Sequence, residues 1–436
     1  MAGGSRAAFL TGLALLLLGA ALAAALIPWD SAVAPWAPLD FPASLQAVGQ
    51  DTALAIADYA AAAWLPGTLG LLAAPAVAAA VVLIPALRAA LSRIGSAWRP
   101  FPRSLAQGAT LLAVAQLAAL PFDAWLATVR RDYALLVEPW TLWLMRWLGY
   151  AALTVILGSL AVALALAAAR RWPRGWWPGA VIAGFAVAAV ASLAVPLTYQ
   201  VEGTRSAPDL QARVQELAQR AGVVVDRVVV AETSDRSPVV NATVSGLGPT
   251  RTVTVFDTLL GTSTELGGET ASAQVDALIA HELVHVREND VLLGTLLAAL
   301  GAAAVVAFAA AATMSARVQR VVGIEVAADP DGEPGGRATR AGDPRMVPVA
   351  VAIVLVGALL AIPVGVTTSR ALEARADREA IKLTGDPAAY ADLMITLAGT
   401  NKSTLQPPRW RYALLMTHPT PLQRIAAAQG EDSARP

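Results

Sequence analysis

Residues 272–290 read SAQVDALIAHELVHVREND and run without interruption into 291–314, VLLGTLLAALGAAAVVAFAAAATM. In the first stretch Val275, Leu278, Ile279, Leu283 and Val286 recur at the three-four spacing of one helical face, which predicts an amphipathic helix. The second stretch carries no charge over 24 residues. At about 1.5 Å per residue it can cross roughly 30 Å of hydrocarbon. A helix rich in ionisable groups therefore abuts a membrane span, and that junction decides the fold class.

The remainder of the chain repeats this contrast. Of 436 residues 56% are hydrophobic and 15% charged, and the mean hydropathy of +0.56 is too high for a water-soluble domain of this length. Apolar runs of spanning length lie at about 7–27, 66–87, 105–127, 147–169, 178–198, 291–314 and 347–367, which predicts seven spans. Trp140, Trp143 and Trp147 border the fourth and Trp172, Trp176 and Trp177 precede the fifth, as interface anchors do. The first run follows Arg6 and is Ala-rich near its end; its length favours an anchor over a signal peptide.

The expected architecture is mainly α: a seven-span helical membrane protein with a zincin-like catalytic subdomain containing a small β-hairpin or sheet. Residues 1–198 form a membrane region with five spans, and 199–290 a first catalytic segment. Residues 291–367 hold two spans joined by a polar loop at 316–346, 368–425 form a second catalytic segment, and 426–436 a tail. Within the first catalytic segment the pattern predicts a helix at 210–221, a strand at 223–231, and a hairpin of 239–245 and 252–257 turning through Gly246, Leu247, Gly248 and Pro249.

Balanced charge, with 32 basic and 32 acidic residues, sets aside a nucleic-acid partner. The absence of cysteine excludes disulfides, thiol nucleophiles and thiolate metal sites, so any metal must sit on His, Asp or Glu. Histidine occurs only at 281, 285 and 418. His281, Glu282 and His285 spell H-E-x-x-H, which sets two imidazoles one turn apart on one helical face, with Glu282 placed to take a proton from water beside the ion. One zinc ion per chain is the expected cofactor, since imidazole and carboxylate suit it.

Two spans separate His285 from 368–425, so the chain returns to the same side of the membrane. There Glu373 and Asp377 sit four apart on one helical face. They read either as third ligand and acceptor for an imidazole N–H, or as part of a solvated salt-bridged surface with Arg375, Arg378 and Glu379.

These residues resemble the integral-membrane zinc metalloproteases (gluzincins) typified by the type 1 CAAX prenyl proteases. Ser369, Arg370, Glu373, Ala376 and Asp377 are similar to that family's third-ligand signature. A second block runs from Arg236, Ser237, Asn241 and Ala242 through Gly246 and Gly248 to Val253 and Phe256-Asp257-Thr258-Leu259-Leu260. His418, Pro419, Thr420 and Arg424 form a third, and Leu120-Pro121-Phe122-Asp123 with Arg131 and Tyr133 extend the likeness into the membrane region. The resemblance implies Glu373 as ligand, Asp377 behind a histidine, and His418, Arg424 and Asn241 beside the scissile peptide, where they hold substrate or stabilise the oxyanion. It also implies an intramembrane chamber with the zinc site at one end. The chain departs from the pattern at Val284, where the family usually has glycine, and at Asn289-Asp290, where a histidine commonly follows. Asp123, inside a span, reads either as a functional group or as an interface marker.

The expected function is zinc-dependent endopeptidase action on peptide or protein substrates, including membrane-tethered ones, by an integral multi-pass protein of the cell (plasma) membrane in contact with the lipid bilayer. A protease-like sensor or signal transducer, and a transporter or scaffold with a vestigial site, are the alternatives. Basic residues crowd the loops after spans two, four and six, whereas 28–65 holds none, which places the zinc site outside. The resemblance instead implies a cytoplasm-facing site.

Overall fold

The computed structural model describes residues 3–31, 34, 36–202, 204–245, 251–266, 268–325 and 340–430. The predicted turn at Gly246, Leu247, Gly248 and Pro249, residues 326–339 of the polar loop at 316–346 and the tail from 431 lie outside them.

In the membrane region α1 (Gly3–Leu26), α2 (Pro42–Val48), α3 (Gln50–Leu83), α4 (Pro85–Arg93), α5 (Pro100–Asp132), α6 (Trp140–Arg171) and α7 (Trp176–Glu202) follow in order. The segment that follows comprises β1 (Thr204–Ser206), α8 (Pro208–Ala221), β2 (Arg227–Ala231), β3 (Ala242–Ser245), β4 (Thr252–Phe256), α9 (Asp257–Leu266) and α10 (Gly268–Arg287). Then come α11 (Asp290–Thr313), α12 (Ala316–Val321), α13 (Val347–Thr384), α14 (Pro387–Asn401), α15 (Arg409–Leu415) and α16 (Pro421–Ala428). Among the described residues α1, α3, α5, α6, α11 and the 344–384 stretch are long and apolar enough to cross a membrane, and α7 contributes a shorter apolar segment, Trp176–Ser192. The helices pack in a closed circuit, α13 to α3, α5, α6, α7, α11 and back to α13, with α1 against α11.

Two helices overrun their predicted spans. The second span, expected at 66–87, belongs to a helix that begins at Gln50 and ends at Leu83. It stops there because Ile84 precedes Pro85, whose ring pushes Ile84 into the extended region (φ −92°, ψ 112°). The last, α13, runs 38 residues, about 57 Å. That is nearly twice the hydrocarbon thickness, so one rigid rod carries the chain from the far interface to Glu373 and Asp377.

The sheet has the order β1-β2-β4-β3, with β2 and β4 parallel and β3 antiparallel to β4. Strand β2 starts at Arg227 rather than at residue 223, because Gly222 adopts φ 72° and closes α8 in a left-handed cap. The β3 ladder begins at Ala242 rather than at residue 239. Upstream of it, Asn401 takes the place of a neighbouring strand: Val240 N–H donates to Asn401 Oδ1 and Asn401 Nδ2 donates to Val240 O, both at 2.9 Å.

One core holds this region together. Val214 and Leu217 of α8, Val253 and Val255 of β4, Ile279 and Leu283 of α10, Tyr390 and Leu393 of α14, and Leu422 and Ile425 of α16 are buried in a single cluster. Phe41, Val48 and Ile56, from the predicted loop at 28–65, are buried in it as well. All five apolar positions that predicted the motif helix are buried.

Asn401→Ala removes both bonds that hold the approach to β3 and strands a buried N–H and C=O, a loss of about 2 kcal/mol. The expected outcome is a lower unfolding midpoint of the purified protein in detergent. An unchanged midpoint would show that the Asn401 clasp contributes nothing.

Candidate metal centre

The amphipathic helix α10 buries its apolar stripe and turns His281 and His285 toward α13. The rings meet edge to face with centroids 4.8 Å apart, and their Nε2 atoms lie 3.1 Å from each other. Glu373 reaches across from α13, with Oε2 3.2 Å from His281 Nε2 and Oε1 3.6 Å from His285 Nε2. The salt-bridged surface alternative for Glu373 and Asp377 is set aside by their burial, at side-chain exposures of 13% and 5%.

Each histidine's other nitrogen faces an aspartate. Asp377 Oδ1 lies 3.0 Å from His281 Nδ1, and Asp290 Oδ2 lies 2.8 Å from His285 Nδ1. Protons on both Nδ1 atoms leave both Nε2 lone pairs converging on one point. Tetrahedral zinc with bonds of about 2.0–2.1 Å sets its ligands roughly 3.3 Å apart; the two imidazole nitrogens stand 3.1 Å apart, and one ligand atom from each of the three residues lies within 4.8 Å of the others. Glu373 Oε2 is buried, with imidazole nitrogens of His281 and His418 at 3.2 and 3.3 Å. His281, His285 and Glu373 could therefore hold such an ion.

The aspartates are themselves held by arginines. Arg424 donates from Nε to Asp377 Oδ2 at 2.9 Å and from Nη2 to Asp377 Oδ1 at 2.6 Å, and Nη2 also lies 2.9 Å from the Tyr390 hydroxyl. Arg375 pairs with Asp290 and with Glu288, the latter at 3.3 Å. Electrostatics follow this arrangement. Burial would push the His281 imidazole down, but Asp377 and Glu373 outweigh it and raise it to about 10. Burial pushes the Glu282 carboxyl up, against the pull of His281 and His285.

Glu282 accepts from Val244 N–H at 3.2 Å through Oε2, so the edge strand β3 lies against the motif. His418 is half-exposed, with Nε2 3.3 Å from Glu373 Oε2. Arg370 helps place it: fully buried, this side chain donates from Nη1 to Tyr412 O at 2.8 Å and Met416 O at 2.7 Å. Thr420 then caps α16 by a reciprocal pair with Gln423, directly after His418-Pro419.

Two residues stand apart from the centre. Asn241 is exposed, its Oδ1 accepting from Ala242 N–H at 3.0 Å, and among the described residues it makes no hydrogen bond to the histidines, Glu282 or Glu373. The two Arg424 donors just described are engaged by Asp377, which makes this side chain a brace. Asp290, Arg375 and Tyr390 lie outside the residues singled out as functional in the sequence. The one available signal was that Asp290 is ionisable at the mouth of a span. Asp123, within α5, accepts from Trp147 Nε1 at 3.0 Å.

Comparison with known proteins agrees with this geometry. The chain is 28% identical over 189 residues to a protease HtpX homolog of Ralstonia pickettii, covering 43% of this chain and 55% of that one. It is 26% identical over 249 residues to a protease HtpX homolog of Gemmatimonas aurantiaca, covering 53% and 78%. The match thus spans just over half the length of the first relative. The crystal structure of S. mikatae Ste24p superposes with a TM-score of 0.68 over 98% of this chain and 99% of that one, at 17% identity, which establishes a shared fold. Residues 204–432, which contain the three candidate ligands, Glu282 and both aspartates behind the histidines, match the model of peptidase family M48, and the chain belongs to that family.

Proposed function

We propose that this protein is a membrane-embedded zinc endopeptidase that hydrolyses peptide bonds of peptide or membrane-associated substrates, with one ion held by His281, His285 and Glu373. What carries the reading is the pair of imidazole nitrogens 3.1 Å apart, met by Glu373 from another helix and flanked by Glu282. A scaffold has no need of that convergence. We place the protein in the cell membrane as a multi-pass protein.

Zinc, when bound, supplies Lewis-acid polarisation of a carbonyl and lowers the pKa of water. Glu282 performs the proton transfers. Val244 N–H holds its Oε2 and leaves Oε1 to accept the proton of the attacking water, which the same carboxyl returns to the leaving amine. Burial pushes Glu282 up against the pull of His281 and His285, which makes its carboxylate a stronger base than an exposed one. His418 stands on the Glu373 side of the centre, where its imidazole can donate to a developing oxyanion.

Substrate recognition is assigned to the outer edge of β3, whose Ala242 and Val244 N–H groups are engaged by Asn241 Oδ1 and Glu282 Oε2 and whose carbonyls face an incoming strand. Phe256 N–H donates to Asn241 O at 3.0 Å, and the register pairs Thr243 with Thr254. That alternation turns the backbone groups of Ala242 and Val244 away from β4, toward the motif. A peptide added there as a strand is read mainly through its backbone, so varied sequences fit. Asn241, at the start of this edge, contacts substrate rather than the ion. Arg424 acts through Asp377.

Purified protein should hold one zinc by elemental analysis and cleave a generic peptide until a chelator removes the ion. Glu282→Gln should keep the zinc and lose roughly 100-fold or more in rate, whereas Glu373→Ala should lose zinc. Full activity in Glu282→Gln would overturn the assignment of the base. Asp290→Asn, which removes the carboxylate charge behind His285, should weaken zinc affinity about 10- to 100-fold, as Asp377→Asn should behind His281. A competitive chelator titration of the two variants measures both, and wild-type affinity in Asp290→Asn would mean that Asp290 only caps α11.

A further inference from the structure

The end of the helical bundle remote from the zinc ligands holds a pocket of about 350 Å³ bordered by Arg88 and Ser92 of α4, Gln107 of α5, Arg320 of α12, and Arg345 with Pro348 at the start of α13. Along α13, Pro348 lies 25 residues before Glu373, a distance of about 38 Å, so this pocket is no part of the metal centre. Three arginines border it, and Asp343 and Glu325 act on one of them, Arg345. Residues 84–103 contain Arg88, Arg93, Arg99 and Arg103 and no acid. Asp343 neutralises Arg345 through paired contacts, but among the described residues neither Arg88 nor Arg320 meets a carboxylate. Arg88 donates to Val82 O and Arg320 to Ala316 O at 3.3 Å, which leaves guanidinium donors on both. Arg103, donating to Ser92 O at 2.6 Å, keeps a buried Nε without a partner.

Farther along α13, the one helix common to both linings, an apolar cleft of about 380 Å³ opens between Ala79 and Leu83 of α3, Val305 and Phe308 of α11, and Ala352 and Leu360 of α13. Leu83 is two residues from Pro85, and Ala352 is one turn from Pro348, so the two linings come within one helical turn of each other along the chain. From Pro348 to Leu360 is about 18 Å of helix, close to the depth of one leaflet, half of the roughly 30 Å hydrocarbon core. A cation-lined recess at the interface with an apolar slot farther along the same helix matches a molecule with an anionic head and a hydrocarbon tail.

We propose that Arg88 and Arg320, with the cleft between α3, α11 and α13, form a binding site for an anionic phospholipid, its phosphate in the arginine pocket and an acyl chain in the cleft. The site lies at the opposite membrane interface from the zinc ligands and makes no contact with them, so lipid occupancy is separable from catalysis.

The test is native mass spectrometry of the full-length zinc-loaded protein in detergent, titrated with phosphatidylglycerol or with phosphatidylcholine of the same chains. Wild type should retain one phosphatidylglycerol per chain in preference to phosphatidylcholine. Arg88→Gln/Arg320→Gln should weaken that binding about 30-fold, each arginine being worth roughly fivefold near an anionic headgroup. Ala79→Phe, which fills the cleft without touching the charges, should weaken it too, and both variants should retain wild-type zinc content and unfolding midpoint. Equal retention of the two lipids by wild type, or unchanged phosphatidylglycerol binding in the double variant, would overturn the proposal. So would competition by glycerol phosphate at the same concentration as the lipid, because the site would then take a soluble phosphate and the cleft would contribute nothing.

Discussion

Two imidazoles held with their Nε2 atoms 3.1 Å apart is the constraint around which the rest of this molecule is arranged. Lone pairs at that separation repel unless positive charge lies between them, and the side chains around them enforce the opposition. Asp377 stands behind one ring and Asp290 behind the other, so neither histidine can rotate away without giving up a buried carboxylate. Those carboxylates must in turn be fixed, and Arg424 and Arg375 fix them. Their positions require α16, which carries Arg424, to pack on α14, and α13 to pass α10.

The same constraint explains why a membrane protein devotes such long helices to a small site. His281 and His285 precede two spans and Glu373 follows them, so the proposed third ligand must be delivered through the bilayer. A flexible linker after α13's apolar part would deliver it with positional freedom far larger than the few tenths of an ångström that ligation tolerates. An unbroken 38-residue helix removes that freedom. The common core then locks the delivered end, because α8, β4, α10, α14 and α16 all bury side chains in it.

Legibility in the sequence followed the range of each interaction. The H-E-x-x-H helix could be read because its ligands and apolar stripe share one short periodic segment. The helical nature of the spans could be read from hydropathy, but hydropathy is silent on polar extensions, which is why residues 50–65 looked like loop until their contact with the core was seen. Glu373 and Asp377 are ambiguous from spacing alone, since a carboxylate pair at helical spacing is equally at home in water; their burial is a property of the fold, which no local pattern carries. Asp290 and Arg375 are 85 residues apart, and no local pattern ties a residue in one segment to a partner across two spans. For Arg424 the sequence marks the position but not its direction, and the bidentate grip on Asp377 supports a bracing role. Asn401 is a further case: a side-chain amide imitates a strand, which no β-propensity pattern can anticipate.

Charge balance ties these observations to the metal. Glu282, Glu373, Asp377 and Asp290 bring four carboxylates to the two histidines, while Arg424 and Arg375 bring two guanidinium groups, leaving an excess of two negative charges. Arg375 is also shared with Glu288, itself compensated by Arg287. In a site this secluded such an excess is costly unless balanced. A divalent cation supplies that charge at the one point where all three candidate ligands converge. The alternative carrier is the proton, and the imidazole of His281, raised to about 10 by Asp377 and Glu373 against its own burial, registers that pull. A monovalent proton balances only half of the excess and places its charge on a ring that must offer a lone pair. The arrangement of arginines thus tunes the site to a charge of two: with either guanidinium replaced by a neutral group the excess would rise to three, and with a third added the pull on a divalent ion would weaken.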